Sequence, residues 1–422
     1  MSLWGQRFKA SVIHKRAGAV LLIALALAFP ALSEASVKIE GVPRWLKAPM
    51  ERSAESVWSE IKNSGALGPE NLRLLALVAG RVFSGYSVAG VFQRNDGAVL
   101  SLEPGPVPRW RAEIDPPRLS PPADLWFREN ASGLAEGIEK IIRDLPLDAL
   151  SWADVSLKKE VEVLCSPRLP GWSPSILVRL QGEETVLRIS FAPRPPLVLA
   201  VVPKVSSGTL PVMLQSDLNE NILRALAPVA GLPIEWAEFN KKRVEDLASD
   251  SLRQTRIVDN TRSAVRVIFN PGQLAAAEAS VESPRYSLRA WVAAYAGSDT
   301  RYPEIGLHMG RKFLPFSGWD MELYGEWILA VNDLSLESRW GVRWSPWKGI
   351  MAGAEQAFPG NQTWYRLWYE GGERAPYLWW RVSERGLHNA GVGYRINRRV
   401  SLEVHYDGRD EDKLSLKAIS DL

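Results

Sequence analysis

The chain reads as an exported protein of α+β class, with small α/β modules ahead of an all-β antiparallel C-terminal barrel of about 10–12 strands. Three observations predict this. A basic and then apolar N-terminal stretch ends in small residues. Hydrophobic periodicity is helical with short strands up to residue 273 and changes to a period of two beyond it. The aromatic residues divide at the same place: nine of the ten Tyr and ten of the eighteen Trp lie after residue 274.

Composition narrows the function classes. The chain has 422 residues, 46% of them hydrophobic and 23% charged, which is enough for several packed domains. A net charge of +3 is far from the concentrated basic surface of a nucleic-acid binder, so no nucleic acid is expected as a partner. The one cysteine, Cys165, excludes a disulfide framework and a multi-cysteine zinc site, and its expected place is a small buried core position.

Residues 1–35 have the pattern of a secretory signal peptide. Lys9, Lys15 and Arg16 precede an apolar run, Ala17–Leu32, and Ser33-Glu34-Ala35 puts small residues at −3 and −1 of a cut after Ala35. The run is short for a membrane span, and no cysteine follows the cut to carry a lipid. No later segment has the length and apolarity of a membrane helix.

Next come three expected α/β modules, at 37–104, 123–193 and 197–273. Helical periodicity covers 51–63 and 69–80, with Leu72, Leu75, Ala76 and Ala79 on one stripe. Strands are expected at 82–93 and 97–103, joined through Asn95-Asp96-Gly97. The segment Leu75–Gly80 is echoed by Leu226–Gly231, in each case an Ala/Leu helix ending at glycine with a strand to follow. Gly133–Asp144 adds a helix, and Trp152-Ala153-Asp154-Val155 resembles Trp236-Ala237-Glu238-Phe239. Proline-rich stretches at Pro104–Pro122 and Pro193–Pro196 read as extended spacers between modules.

From 274 to 422 apolar and polar residues alternate in segments of 8–11 residues. In 319–329, Trp319, Met321, Leu323, Trp327 and Leu329 alternate with Asp320, Glu322, Tyr324 and Glu326. In 334–344, Leu336, Trp340, Val342 and Trp344 alternate with Glu337, Arg339 and Arg343. Similar segments follow to the end, and 274–283 is a further candidate strand. A soluble sandwich and a membrane barrel both satisfy such alternation. Strand length near 9–11 residues, aromatic residues near strand ends and a dense charged face favour the barrel, in contact with outer-membrane lipid.

The candidate polar lining of the lumen is Asp320, Glu322, Glu326, Glu337, Arg339, Arg343, His308, Glu403 and His405. The candidate interfacial aromatics are Trp319, Trp327, Trp344, Trp347, Trp364, Trp368, Trp379 and Trp380; stacking on sugar rings is the other use of the last four. No nucleophile motif, HExxH or metal-ligand spacing accompanies the histidines, so no catalytic residue, metal or cofactor is expected, and the chain is not expected to be an enzyme.

Residues 51–103, two helices beside strands, resemble the POTRA modules of BamA/TamA-type assembly factors. Leu72–Phe92 and Ile222–Phe239, with a barrel after them, resemble the YjbH/GfcD-type proteins of capsule and exopolysaccharide production. The second resemblance implies a cell outer-membrane barrel with periplasmic modules, acting in envelope transport with polysaccharide as the leading substrate. The first implies the alternative, an assembly or protein-secretion factor whose modules grip client strands by edge addition. A soluble secreted carbohydrate-binding protein and a barrel hydrolase are the remaining readings.

Overall fold

The computed structural model describes residues 37–63, 68–94, 97–181, 184–298, 301–314, 319–409 and 413–422. The expected signal peptide and the Asn95-Asp96 part of the expected turn lie outside them. The chain divides into two units, one formed mainly by the first two modules, the other by the third module and the barrel together with residues 118–127 and 170–172.

The first module runs β1 (Val37–Glu40), α1 (Arg44–Asn63), α2 (Pro69–Val82), β2 (Tyr86–Arg94) and β3 (Gly97–Pro104). On α1, Leu46, Met50, Ala54, Trp58 and Ile61 recur at helical spacing and are buried; Val37, Ile39, Leu100 and Leu102 line the sheet beneath. Pro69 sits at the first turn of α2, where its missing N–H leaves no bond unmade. The sheet order is β1-β3-β2, with β1 parallel to β3 and β2 antiparallel to it.

The second module runs β4 (Arg109–Asp115), α3 (Ala123–Ala131), α4 (Leu134–Ile142), α5 (Leu150–Cys165), β5 (Trp172–Gln181) and β6 (Glu184–Pro193), in sheet order β4-β6-β5. The expectation of a plain spacer at Pro104–Pro122 is corrected here. The seven residues between its prolines form β4, paired parallel to β6 from Arg109↔Glu184 to Asp115↔Ser190, so this module starts at 109 rather than 123. Trp152–Val155 lies inside α5 and is not a strand.

The third module runs β7 (Ala200–Ser206), α6 (Val212–Leu226), α7 (Ile234–Phe239), α8 (Lys241–Arg253), α9 (Arg256–Asn260), β8 (Ala264–Asn270) and β9 (Leu274–Glu282). Its order, β7-β9-β8 with β7 parallel to β9, repeats that of the first two. Two expectations change. After Gly231, at φ +86°, Trp236–Phe239 continues as helix α7, so Ile222–Phe239 is not a helix-then-strand unit. The boundary at 273/274 also moves: β9 belongs to this module, and the barrel begins at Tyr286. Ala275, Ala277, Ala279 and Val281 alternate as a barrel strand would, but their apolar face is buried in the module's own core.

Ten strands then close on themselves: β10 (Tyr286–Ala296), β11 (Glu304–Phe313), β12 (Asp320–Ala330), β13 (Leu336–Trp347), β14 (Ile350–Phe358), β15 (Gln362–Glu370), β16 (Pro376–Ser383), β17 (His388–Arg395), β18 (Val400–Asp407) and β19 (Leu414–Asp421). Every neighbouring pair is antiparallel, and β10 pairs with β19 from Trp291↔Asp421 to Ala296↔Leu416. Short connections, with no helix between the strands among the described residues, dictate this up-and-down order.

Candidate functional site

Alternation divides the barrel into two chemical surfaces. Leu307, Met309, Leu323, Trp340, Val342, Leu367, Val392, Leu402, Val404 and Leu416 face outward and are exposed. Glu322, Glu326, Glu355, Arg381, Glu403, His405 and Asp407 face inward and are buried. This is the reverse of a water-soluble core and matches a wall that meets hydrocarbon outside and water or ion pairs inside. No helix among the described residues is long and apolar enough to cross a membrane; the strands carry the crossing surface.

The lumen is laced with charge pairs. Glu326 Oε2 accepts from Arg339 Nη1 at 3.0 Å, and Arg339 Nε donates to Glu337 Oε1 at 2.6 Å. Glu337 Oε2 accepts from Arg409 Nη1 at 3.1 Å; Arg409 and Arg301 both pair with Asp407. Glu355 accepts from Arg381 Nη1 at 3.0 Å, and the Tyr324 hydroxyl donates to its other oxygen at 2.7 Å. Lys417 Nζ and the Tyr295 hydroxyl both donate to Glu304 Oε2. Charge-assisted bonds of this kind tie strands far apart in sequence across a narrow interior.

The two lumenal histidines sit in separate clusters. His308 Nε2 lies 2.9 Å from Glu322 Oε1, which also accepts from Ser287 Oγ at 2.5 Å, while Arg343 Nη2 donates to Glu322 Oε2 at 2.6 Å. Ser287 and His308 thus converge on one carboxylate oxygen; the hydroxyl is not directed at the imidazole as in a nucleophile–base pair. His405 Nδ1 lies 2.9 Å from Glu403 Oε1, and Trp379 Nε1 donates to Glu403 Oε2 at 2.9 Å. No cluster of metal-ligating side chains occurs among the described residues.

Of the nine lumen candidates, Glu322, Glu326, Glu337, Arg339, Arg343, His308, Glu403 and His405 line the interior, whereas Asp320 is exposed at the start of β12. The aromatic set separates further. Trp319, Trp347 and Trp380 are exposed, and Trp327 and Trp344 are partly covered, with Trp319 stacked on Trp344 at 4.9 Å and Trp327 edge-on to Trp340. Trp364, Trp368 and Trp379 are corrected: they face the lumen. Trp364 is fully buried beneath the Arg381 guanidinium at 4.4 Å, and Arg366 lies 4.4 Å from Trp368 and 5.2 Å from Trp379. Their faces serve cation–π contacts rather than lipid. The signal was present in the sequence: Trp364, Arg366, Trp368 and Glu370 share one phase of β15. The same phase rule would have found Glu355, Arg381, Asp407 and Lys417.

A cavity of about 570 Å³ threads this lattice, bounded by Ser207 and Leu210 of the third module at one end and by Asp407 and Arg409 at the other. At its module end Leu288 N–H donates to the Thr209 carbonyl at 2.8 Å, and Val212 N–H to that of Leu422 at 2.5 Å. The third module's β7–α6 connection therefore sits on the barrel's mouth.

The fold and lumen define a class: POTRA-like α/β modules joined to a closed, lipid-facing β-barrel, the arrangement of an outer-membrane protein with its modules in the periplasm. No family model and no curated protein matches the chain. Solved structures do. POTRA domains 1–3 of the periplasmic domain of Omp85 from Anabaena align at 12% identity and TM-score 0.21, over 58% of this chain and 93% of that one. CdiB from Acinetobacter baumannii aligns at 12% identity and TM-score 0.19, over 83% of this chain and 61% of its own. BamA from Haemophilus ducreyi lacking POTRA domains 1–3 aligns at 9% identity and TM-score 0.16, over 75% and 57%. The chain thus spans less than two thirds of CdiB and of that BamA. At these TM-scores the superpositions carry no weight of their own; the strand pairing and the polarity of the barrel do.

Proposed function

We propose that the chain is an outer-membrane barrel protein whose periplasmic modules hold extended polypeptide during protein secretion or assembly in the envelope. The observation that carries this reading is the open sheet edge repeated in all three modules. β2, β5 and β8 are each an edge strand of a three-stranded sheet, β2 and β8 antiparallel to the strand beside them. Exposed apolar side chains accompany them: Phe92 on β2, Leu177 and Leu180 on β5, Ile268 on β8. An edge strand offers N–H and C=O groups to an incoming strand, and flanking apolar side chains reward alternate residues of the guest.

The barrel interior favours this reading over polysaccharide secretion. A polymer moving through the lumen would have to part buried Arg–Glu pairs, and the faces of the lumenal Trp364, Trp368 and Trp379 are engaged by guanidinium groups. The lumenal histidines are given hydrogen-bonding roles, and no catalytic one.

The test is titration of the full mature protein in micelles with a fluorescent peptide copied from an outer-membrane barrel strand. Saturable binding is expected, lost when alternate peptide nitrogens are methylated, because methylation removes the donors that edge pairing needs. Binding of soluble exopolysaccharide with no binding of the peptide would overturn the proposal.

A further inference from the structure

We propose that the rim of the barrel nearest the modules is a binding surface for anionic phospholipid headgroups, those of the leaflet that faces the modules. The proposal rests on the membrane-spanning reading of the barrel and adds to it a lipid class and a fixed side.

The two rims differ in charge. β10 leaves the third module at Tyr286, so the antiparallel order places connections 314–319, 348–349, 371–375 and 396–399 at the module end. In sequence these carry Lys348, Arg374, Arg398 and Arg399 against one acid, Glu373, and all five residues are exposed. Glu373 is engaged by Arg398, which leaves Lys348, Arg374 and Arg399 as the excess. The described residues of the opposite connections carry Asp333 and Glu384 against Arg301, Arg385, Arg409 and Lys413. Of those cations, Arg301 and Arg409 pair with Asp407 in the lumen.

Aromatic side chains underlie the basic rim. Trp347, beside Lys348, is 70% exposed, and Trp319 stacks on Trp344 at the same end. Tyr394 and Tyr369 are exposed on the outer wall there, and the Tyr394 hydroxyl donates to the Arg374 carbonyl at 2.7 Å. Indole and phenol rings settle at the level of lipid glycerol and carbonyl groups, which puts the cations a few ångströms further out, at the level of the phosphates. Each Lys or Arg at an anionic surface adds roughly fivefold to the local preference for charged lipid.

The experiment uses mature protein refolded into phosphatidylcholine vesicles that contain a minor share of bromine-labelled lipid, either phosphatidylglycerol or phosphatidylcholine. Tryptophan quenching reports which lipid lies against the outer wall. Labelled phosphatidylglycerol is expected to quench severalfold more than labelled phosphatidylcholine. The excess should vanish in the triple variant Lys348→Glu, Arg374→Glu, Arg399→Glu and at high salt, and should fall in Trp347→Phe. Equal quenching by the two lipids, or an excess that survives the triple variant, would overturn the proposal. Unboiled gel mobility is run on the same samples. A barrel shift with equal quenching removes the headgroup site alone; no shift in any lipid removes the membrane reading and the site with it.

Discussion

Arg381 and Glu355 form a buried ion pair across an intervening strand: Nη1 of Arg381, on β16, donates to Oε1 of Glu355, on β14, at 3.0 Å, with β15 between them. Arg366, on β15 itself, reaches the other oxygen of the same carboxylate at 3.4 Å. One glutamate therefore balances guanidinium groups from two strands, in a place where neither partner meets solvent.

Removing that carboxylate should be expensive. Glu355→Ala takes a shared carboxylate from two buried guanidinium groups, leaving Arg381 3.7 Å from Glu337 and Arg366 3.5 Å from Glu326, and is expected to lower stability by about 3 kcal/mol. Glu373→Ala, at an exposed rim pair, is expected to change it by less than about 1 kcal/mol. Urea midpoints of the two variants in detergent micelles, set against the parent, check the difference.

Gly341 faces the lumen where the Tyr324 ring crosses it. A Cβ at 341 would stand 2.6 Å from the Ala354 carbonyl oxygen and 2.9 Å from Tyr324 Cζ, and the backbone oxygen cannot swing away. Gly341→Ala is expected to cost about 1–3 kcal/mol through overpacking. The same urea titration reads it, and near-ultraviolet circular dichroism should report displacement of the tyrosine.

The modules should weaken in alkali. Burial pushes the Cys165 thiol from its ordinary 9.0 up to about 11, and burial together with the Asp144 charge pushes the Tyr86 phenol from 10.0 up to about 12. Both groups fold neutral, so their contribution is complete below pH 9 and is lost as pH rises through the folded values, between about 9 and 12. Loss of helical circular dichroism across that window is expected. At pH 8 a thiol reagent should label Cys165 only after denaturation.

A closed barrel should resist mild SDS until heated. The unboiled protein is therefore expected to run at a different position from the boiled protein on the same gel. Identical mobility would count against closure between β10 and β19.

Much of this was legible in the residues, and the exceptions have physical causes. Alternation located the barrel strands because one face meets each environment. It could not say what covers an apolar face, so β9, whose Ala275–Val281 row is buried in the third module, read like a barrel strand. β4 escaped notice because flanking prolines mask a seven-residue strand whose partner lies some seventy positions away. Trp364, Trp368 and Trp379 were read by residue type; read by phase, they fall beside Arg366 and Arg381. The lattice itself, including which glutamate meets which arginine, depends on barrel closure and on strand register, neither of which alternation encodes.

The order of modules and barrel has a consequence for the life of the chain before it reaches its membrane. The modules bury Trp58, Phe269 and their neighbours against water and can fold as they arrive. The strands from β10 onward cannot: in water their leucine and valine rows have nothing to cover them, and their glutamates and arginines have no dry interior in which to pair. The chain thus travels with a finished front and an unfinished back, and the unfinished part is the one prone to stick to its own kind. Timing, as much as stability, decides whether this chain arrives, and any escort in the periplasm has about ten adhesive strands to keep apart.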